Sequence, residues 1–99
     1  MSHTVCATFK FKDGEKQKFI DILNSPDGLK VTREWEGCES INVFESSDNP
    51  NLLIIWQKWQ SRANQESYLE MRKSTGLFNE VMSMLNEPFE VLHLDSVSV

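Results

Sequence analysis

The sequence predicts an α+β fold in which helices cover one face of a four-stranded antiparallel sheet. Three observations lead to this prediction. The 99 residues suit one domain, residues 1–99, with a single core. The hydrophobic periodicity changes along the chain in the order β-α-β-β-α-β. The stretch NLLIIWQKWQ, residues 51–60, contains five consecutive apolar residues, which is typical of a strand buried on both faces.

The first half of the chain predicts a strand, a helical region and a second strand. Residues 4–11, TVCATFKF, alternate between apolar and polar side chains, as a half-buried strand does. Asp13 suits a helix N-cap, and residues 14–24 carry apolar side chains at helical spacing. A further turn or two of helix is expected after residues 25–28, SPDG. The second strand is predicted over residues 38–46.

The second half repeats this order after a hairpin. Residues 46–51, SSDNPN, are turn formers and connect the second strand to the third. Ser61 is a good N-cap for a helix that is expected from Arg62 to Lys73. Pro88 ends a further helix, and residues 89–95 form the fourth strand. The apolar stripe of that further helix consists of Leu77, Phe78, Val81, Met82 and Leu85.

This element order is the ferredoxin-like split β-α-β pattern. Right-handed crossovers then place the strands in the order 4-1-3-2, with every helix on one face. The third strand is central and apolar on both faces, so the uncovered face would be an exposed apolar patch. We therefore expect a homodimer in which two sheets pack face to face, although tail or loop residues could also cover the patch. Cys6 and Cys38 lie on strands that are not neighbours, so no disulfide is expected.

Composition and charge exclude several classes of protein. The chain is 39% hydrophobic and 25% charged, as globular domains are. Its net charge of −5 argues against a nucleic-acid partner. No apolar run approaches the roughly 20 residues that span a bilayer, and the N-terminus lacks an apolar signal core, so we expect a cytoplasmic protein without a membrane partner. No phosphate-cradling glycine motif, nucleophile elbow or metal-ligand cluster is present in the sequence.

Several short motifs resemble one known family. EGC at 36–38, the NP hairpin at 49–50, and Trp59 followed by Ser61 resemble the antibiotic biosynthesis monooxygenase domain. YLEMR at 68–72, GL at 76–77 and Pro88 resemble one subgroup of that family. The resemblance implies a dimeric α+β barrel. It also implies an enzyme that oxidises a phenol, anthrone or quinol with O₂, often with neither metal nor flavin as cofactor.

Given this resemblance, the candidate site residues are those that could wall an aromatic pocket or act on a substrate oxygen. Tyr68, Arg72 and His93 are the candidate catalytic residues. The candidate substrate-binding residues are Asn42, Trp35, Trp56, Trp59 and Phe78. Each has a plainer alternative. The tryptophans could be core, Tyr68 could cover the sheet edge, Arg72 could be a solvated helix residue, and His93 could be structural.

The remaining histidine and the last helix bear on two further points. His3 is expected in a mobile N-terminal tail. Residues 78–82, FNEVM, contain no histidine where haem-degrading relatives carry one, which counts against haem degradation. Two functions stay open: a cofactor-independent monooxygenase acting on a small aromatic substrate, or a non-catalytic dimeric module that binds a small ligand or is structural.

Overall fold

Four strands form one antiparallel sheet in this computed structural model, which describes residues 2–99. They are β1 (His3–Lys10), β2 (Cys38–Glu45), β3 (Leu52–Trp59) and β4 (Glu90–Leu94). Their order across the sheet is β2-β3-β1-β4, which confirms the predicted order. The first strand begins one residue earlier than expected, at His3, which pairs with Trp59. The prediction that His3 lies in a mobile tail is therefore wrong.

Four helices connect the strands, and two of their starts test the predicted caps. They are α1 (Lys16–Leu23), α2 (Leu29–Glu34), α3 (Arg62–Lys73) and α4 (Gly76–Ser83). Ser61 caps α3 as predicted, because its hydroxyl oxygen accepts from the Asn64 backbone N–H at 3.2 Å. Asp13 does not cap α1, whose N-cap residue is Glu15. The Asp13 carboxylate instead accepts a 2.7 Å hydrogen bond from the Asn51 side chain, which ties the β1–α1 turn to the hairpin loop.

The core lies between the helices and one face of the sheet. On that face Val5 pairs with Gln57, and Ala7 pairs with Ile55 across the β1–β3 ladder, so every second residue points inward. All of these are buried. The helices and the loops beside them complete the core with Phe19, Leu29, Val81, Met84 and Leu85. The central strands therefore place a layer of mostly apolar side chains beneath all four helices.

The opposite face of the sheet carries large apolar side chains that no helix covers. Trp56 lies opposite Cys6 and Asn42, and Leu92 also lies opposite Cys6, so these residues share that face. Phe44 is 55% exposed, Leu92 50% and Trp56 39%. We call this surface the open face. The exposure arises because β3 is apolar on both sides while the helices can cover only one.

Two other features concern the cysteines and the lengths of the helices. Cys6 and Cys38 are both free thiols, because their strands are separated by β3. Within residues 2–99 the longest helix has 12 residues, and no helix combines the length and apolar character that a bilayer crossing requires.

Candidate active site

A cavity of about 120 Å³ lies between the inner face of the sheet and the helices. Its walls are mostly apolar and come from the sheet, from α1 to α4, and from the segment that leads into β4. The main apolar wall residues are Ala7, Phe9, Ile55, Phe19, Leu69, Phe78, Val81, Met82 and Phe89. A few polar side chains interrupt this wall, and three of them, Gln65, Tyr68 and Arg72, belong to α3. This combination of an apolar wall and a small polar cluster is the usual character of a small-molecule site.

Arg72 and Tyr68 form the centre of the polar cluster. They lie four residues apart on α3 and so share one face of the helix, as their spacing predicts. Arg72 Nε donates to Tyr68 Oη at 2.6 Å, and the guanidinium carbon lies 5.2 Å from the centre of the tyrosine ring. Both residues line the cavity. Arg72 is thus held by the protein and is not a freely solvated helix residue.

The α1–α2 loop holds the other end of the guanidinium. Arg72 Nη1 donates to the Asp27 carbonyl oxygen and Nη2 to that of Gly28, both at 2.8 Å. Gly28 allows the loop to approach α1 closely, because a Cβ atom there would collide with the carbonyl oxygens of Ile22 and Leu23. The loop geometry therefore presents two carbonyl groups to one arginine.

No carboxylate neutralises Arg72 among the described residues, since it forms no salt bridge within 2–99. All of its protein partners are neutral carbonyl or hydroxyl oxygens. Dipoles can hold a guanidinium in place without cancelling its charge. The cavity therefore has a positive charge at its edge that is suited to an anionic oxygen of a ligand.

The hydroxyl groups of Thr32 and Tyr68 leave one hydrogen to spare. Their oxygens are 2.6 Å apart, so one hydroxyl donates to the other. Arg72 has only donors, and it gives N–H bonds to both oxygens. Whichever hydroxyl donates in the Thr32–Tyr68 bond, the hydrogen of the other has no acceptor among the described residues. Both residues line the cavity, so this hydrogen is available to a ligand oxygen.

Gln65 lines the cavity and has a buried side-chain oxygen without a hydrogen-bond partner among the described residues. It is 3% exposed, and its Oε1 atom accepts no hydrogen bond within the described residues. The corresponding oxygen of the other buried glutamine, Gln57 Oε1, accepts from Trp59 Nε1 at 2.9 Å. Sequence reasoning missed Gln65. The available signal was its position three residues before Tyr68 and seven before Arg72, which places all three on one face of α3.

Comparison with protein-family models identifies the family of the chain. Residues 2–75 match the model described as antibiotic biosynthesis monooxygenase, which covers most of the chain, from β1 to the end of α3. The chain belongs to the antibiotic biosynthesis monooxygenase family. The match includes Gln65, Tyr68 and Arg72, and it ends just before α4. No curated protein sequence matches this family member.

Solved structures share the whole fold of this antibiotic biosynthesis monooxygenase family member. A conserved protein from Methanosarcina mazei Go1 is 19% identical with a TM-score of 0.76, over 95% of this chain and 91% of that one. Rv0793 from Mycobacterium tuberculosis is 19% identical with a TM-score of 0.72, over 100% and 98%. A structure described as an antibiotic biosynthesis monooxygenase is 17% identical with a TM-score of 0.74, over 97% and 99%. At these identities the likeness concerns the fold.

Two of the predicted tryptophans support the site of this family member without lining its cavity. Trp59 is fully buried, and its ring lies 5.2 Å from that of Tyr68. The Trp35 ring meets Tyr68 edge-on at 6.1 Å. Both tryptophan rings therefore pack against the tyrosine ring. Phe78 does line the cavity, and its ring packs edge-on against Phe89 at 6.0 Å.

Three predicted residues lie away from the cavity. Asn42 and Trp56 face each other across the β2–β3 ladder on the open face, because the alternation of strand side chains points them away from the helices. His93 lies on β4, where its Nδ1 is 2.9 Å from Nε2 of His3. Tyr68, Arg72 and Phe78 therefore line the same cavity. Asn42, Trp56 and His93 do not line it.

His93 has its own electrostatic environment. Partial burial lowers its pKa below the usual value of 6.5, and the positive charge of Arg62 and the neighbouring His3 lower it further. Glu66 acts in the opposite direction. The lowered pKa favours the neutral imidazole, whose ring is stacked on His3 with ring centres 5.1 Å apart. The pair links the neighbouring strands β1 and β4.

Proposed function

We propose that this chain is a cofactor-independent monooxygenase that oxidises a small aromatic compound of the phenol, anthrone or quinol type with O₂. The observation that carries the proposal is the uncompensated guanidinium of Arg72 beside a spare hydroxyl hydrogen in an apolar cavity. Tyr68 and Arg72 would hold the substrate oxygen, and Phe78 would contact the ring. Membership of the antibiotic biosynthesis monooxygenase family supports the same reaction class.

The chemistry requires the deprotonated substrate. An electron-rich aromatic compound, once deprotonated, passes an electron to O₂ far more readily than its neutral form does. A positive charge close to a hydroxyl group lowers the pKa of that group, so Arg72 favours the phenolate. The apolar wall excludes water, which strengthens this electrostatic effect and protects reactive intermediates.

The reaction balances without an external reductant. One oxygen atom of O₂ enters the product at a carbon that loses hydrogen, and the other oxygen atom leaves as water. The substrate supplies every electron that O₂ accepts and becomes a quinone. A resident cofactor is therefore not required by the stoichiometry, and the protein contributes orientation, charge stabilisation and exclusion of water.

The proposed enzyme is a homodimer in which two open faces pack together. Burial of each large apolar side chain on that face stabilises the assembly by about 1.5–3 kcal/mol. Phe44, Trp56 and Leu92 are the largest exposed apolar residues of the face. A two-fold arrangement places the same patch on both sides of the interface, so one apolar surface covers the other.

A second candidate function is a module that binds an aromatic ligand without turnover. One observation favours it: among the described residues, the only titratable side chains that line the cavity are Asp27, Tyr68 and Arg72. Asp27 is exposed at the rim. No internal base is thus present to remove a proton, although an acidic substrate would not need one.

Oxygen uptake separates the two functions. Purified protein, treated with a chelator and free of flavin, is mixed with a panel of phenols, hydroquinones and anthrones. The monooxygenase predicts uptake above the uncatalysed rate, with one water formed for each O₂ consumed and no hydrogen peroxide. Binding of a panel member under anaerobic conditions, combined with no uptake above background, would establish the binding module instead.

A further inference from the structure

Thr32 is a polar residue that lies as deep in the protein as the apolar core. It is 1% exposed, and it belongs to the six-residue helix α2. The Thr32 oxygen accepts from Arg72 Nη2 at 3.1 Å and lies 2.6 Å from Tyr68 Oη. The side-chain partners of its hydroxyl group are thus the two residues that are proposed to hold the substrate oxygen.

The burial of the two hydroxyl groups decides which of them donates to the other. If Tyr68 donated, the hydrogen of Thr32 would have no acceptor on a residue that is almost completely enclosed. If Thr32 donates, the spare hydrogen belongs to Tyr68, which is only partly buried and lines the cavity. An unpaired hydrogen costs more free energy when it is buried than when it faces water or a ligand. Thr32 is therefore the donor, and the Tyr68 hydrogen is left for a ligand.

Two accepted hydrogen bonds then use up the oxygen of Tyr68. Arg72 Nε donates to this oxygen at 2.6 Å, and the Thr32 hydroxyl group donates to it at the same distance. A hydroxyl oxygen has room for two such bonds in addition to its own hydrogen. Tyr68 can therefore give a hydrogen to a ligand, but it cannot take one from a ligand.

We propose that Thr32 is a positioning residue that makes the site selective for an ionised substrate oxygen. By donating to Tyr68, it fills the last acceptor position of that hydroxyl group and leaves the Tyr68 hydrogen free. An anionic oxygen accepts this hydrogen beside the positive charge of Arg72. A neutral hydroxyl group has a hydrogen of its own to donate and finds no acceptor at Tyr68. This inference rests on the proposed function, which supplies the identity of the ligand oxygen.

The substrate then enters the cavity as the anion. Its proton is lost to the solvent before binding, so the cavity needs no internal base. Apart from Tyr68 and Arg72, the one titratable side chain that lines the cavity within residues 2–99 is Asp27, which is exposed at the rim. The selectivity that Thr32 provides therefore agrees with a lining that has no buried base.

The colour of the 4-nitrophenolate ion tests this selectivity without turnover. 4-Nitrophenol is a single-ring phenol that ionises near neutral pH, and its ionised form is yellow whereas its neutral form is not. The protein is saturated with it under anaerobic conditions, at the pH at which half of the free compound is ionised. Equilibrium dialysis measures how much ligand is bound. The yellow absorbance of the bound ligand then gives the ratio of ionised to neutral ligand in the site.

Four variants of the chain give the comparison. Thr32→Val keeps the shape of the side chain and removes the hydroxyl group, whereas Thr32→Ser keeps the hydroxyl group. The control Thr75→Val also removes a hydroxyl group that makes one hydrogen bond, to the carbonyl oxygen of Arg72, but Thr75 does not line the cavity. Thr32→Ala replaces the valine variant if that variant does not fold.

The wild type, Thr32→Ser and Thr75→Val should hold mostly the ionised ligand. Thr32→Val should lower the ratio of ionised to neutral ligand by about fivefold, the effect of one net hydrogen bond, because Tyr68 can then accept from the neutral ligand. A general loss of stability weakens the binding of both forms together and leaves this ratio unchanged. The ratio therefore separates positioning from a merely structural role of Thr32.

Three results would overturn the inference: no preference of the wild type for the ionised ligand, an unchanged ratio in Thr32→Val, or an equal decrease in Thr32→Ser. Oxygen uptake decides the proposed function separately. Absence of uptake combined with the predicted ratios rejects turnover and keeps the selectivity. Uptake combined with an unchanged ratio in Thr32→Val rejects the selectivity alone.

Discussion

Arg72 donates to the hydroxyl group of Tyr68 at 2.6 Å, and the same guanidinium reaches the carbonyl groups of Asp27 and Gly28 in the α1–α2 loop. One side chain of α3 therefore orients a cavity hydroxyl and anchors the loop at the rim of the cavity. Structural and binding roles coincide at Arg72, and its replacement should affect both.

Replacement of Arg72 by leucine should abolish oxygen uptake and destabilise the fold. The change removes a positive charge from the proposed phenolate position and leaves the Asp27 and Gly28 carbonyls without their donor. We expect the free energy of unfolding to fall by about 2 kcal/mol, the scale of hydrogen bonds to a charged donor. Urea denaturation and oxygen uptake measure the two effects. The control is Lys73→Leu, which removes a positive charge from the exposed neighbouring residue; equal losses in both variants would contradict a specific role for Arg72.

Replacement of Tyr68 by phenylalanine should weaken substrate binding while preserving the packing of the ring against Trp59. The hydroxyl group links Arg72 to Thr32, so its loss should cost about 1 kcal/mol of stability. The KM for a phenolic substrate should rise by about tenfold for the lost hydrogen bond. Steady-state oxygen uptake measures this change. The control Phe78→Leu alters the apolar wall and should leave the Arg72 interactions intact. An unchanged KM in Tyr68→Phe would show that the Tyr68 hydroxyl group does not bind the substrate.

The open face predicts a dimer that a single charge should disrupt. Light scattering of the wild type at micromolar concentration should give twice the 11.5 kDa mass of the chain. Trp56→Glu places a carboxylate in the centre of the proposed interface and should yield monomers, because burial of an unpaired charge is costly. Gln17→Glu on exposed α1 makes the same change of net charge and should remain dimeric. A soluble wild-type particle of 11.5 kDa would contradict the dimer.

Stability should decrease as the solution becomes more acidic, partly because of His93. Burial lowers the pKa of His93 in the folded chain, so the unfolded chain binds a proton more readily than the folded chain. Its contribution to stability is therefore complete above pH 6.5 and is lost as the pH falls from 6.5 through the lowered folded pKa. The groups that face it are His3, Arg62 and Glu66.

Urea denaturation from pH 8 to pH 5 tests this dependence. The wild type should lose more stability over the range than His93→Asn, which has no group that titrates there. His3→Asn provides the comparison, because it removes the stacked neighbour and should raise the pKa of His93 toward its usual value. If the wild type and His93→Asn lose the same stability, the pH dependence of the free energy of unfolding arises from other groups.

Much of the fold was predictable because local patterns carry it. Alternation and helical spacing report which side chains face a common surface, and caps such as Ser61 mark where an element begins. The strand order followed from the handedness of crossovers. The prediction that Asp13 caps α1 was wrong, because its carboxylate accepts a hydrogen bond from Asn51, which is distant along the chain. His3 was misjudged for a similar reason, since pairing with β3 and stacking on His93 order it.

The sequence by itself determined the element order, the apolar character of both faces of β3, and the shared helix face of Tyr68 and Arg72, because each depends on residues that are close along the chain. Only the tertiary structure decided that Thr32 meets Arg72, that Asn42 lies on the open face, and that Gln65 is buried without a partner. Those facts depend on which side chains of β2 point toward the helices and on the packing of α2 against α3. Both involve residues that are distant in sequence. Local periodicity contains no information about such contacts, and the chemistry of the cavity depends on them.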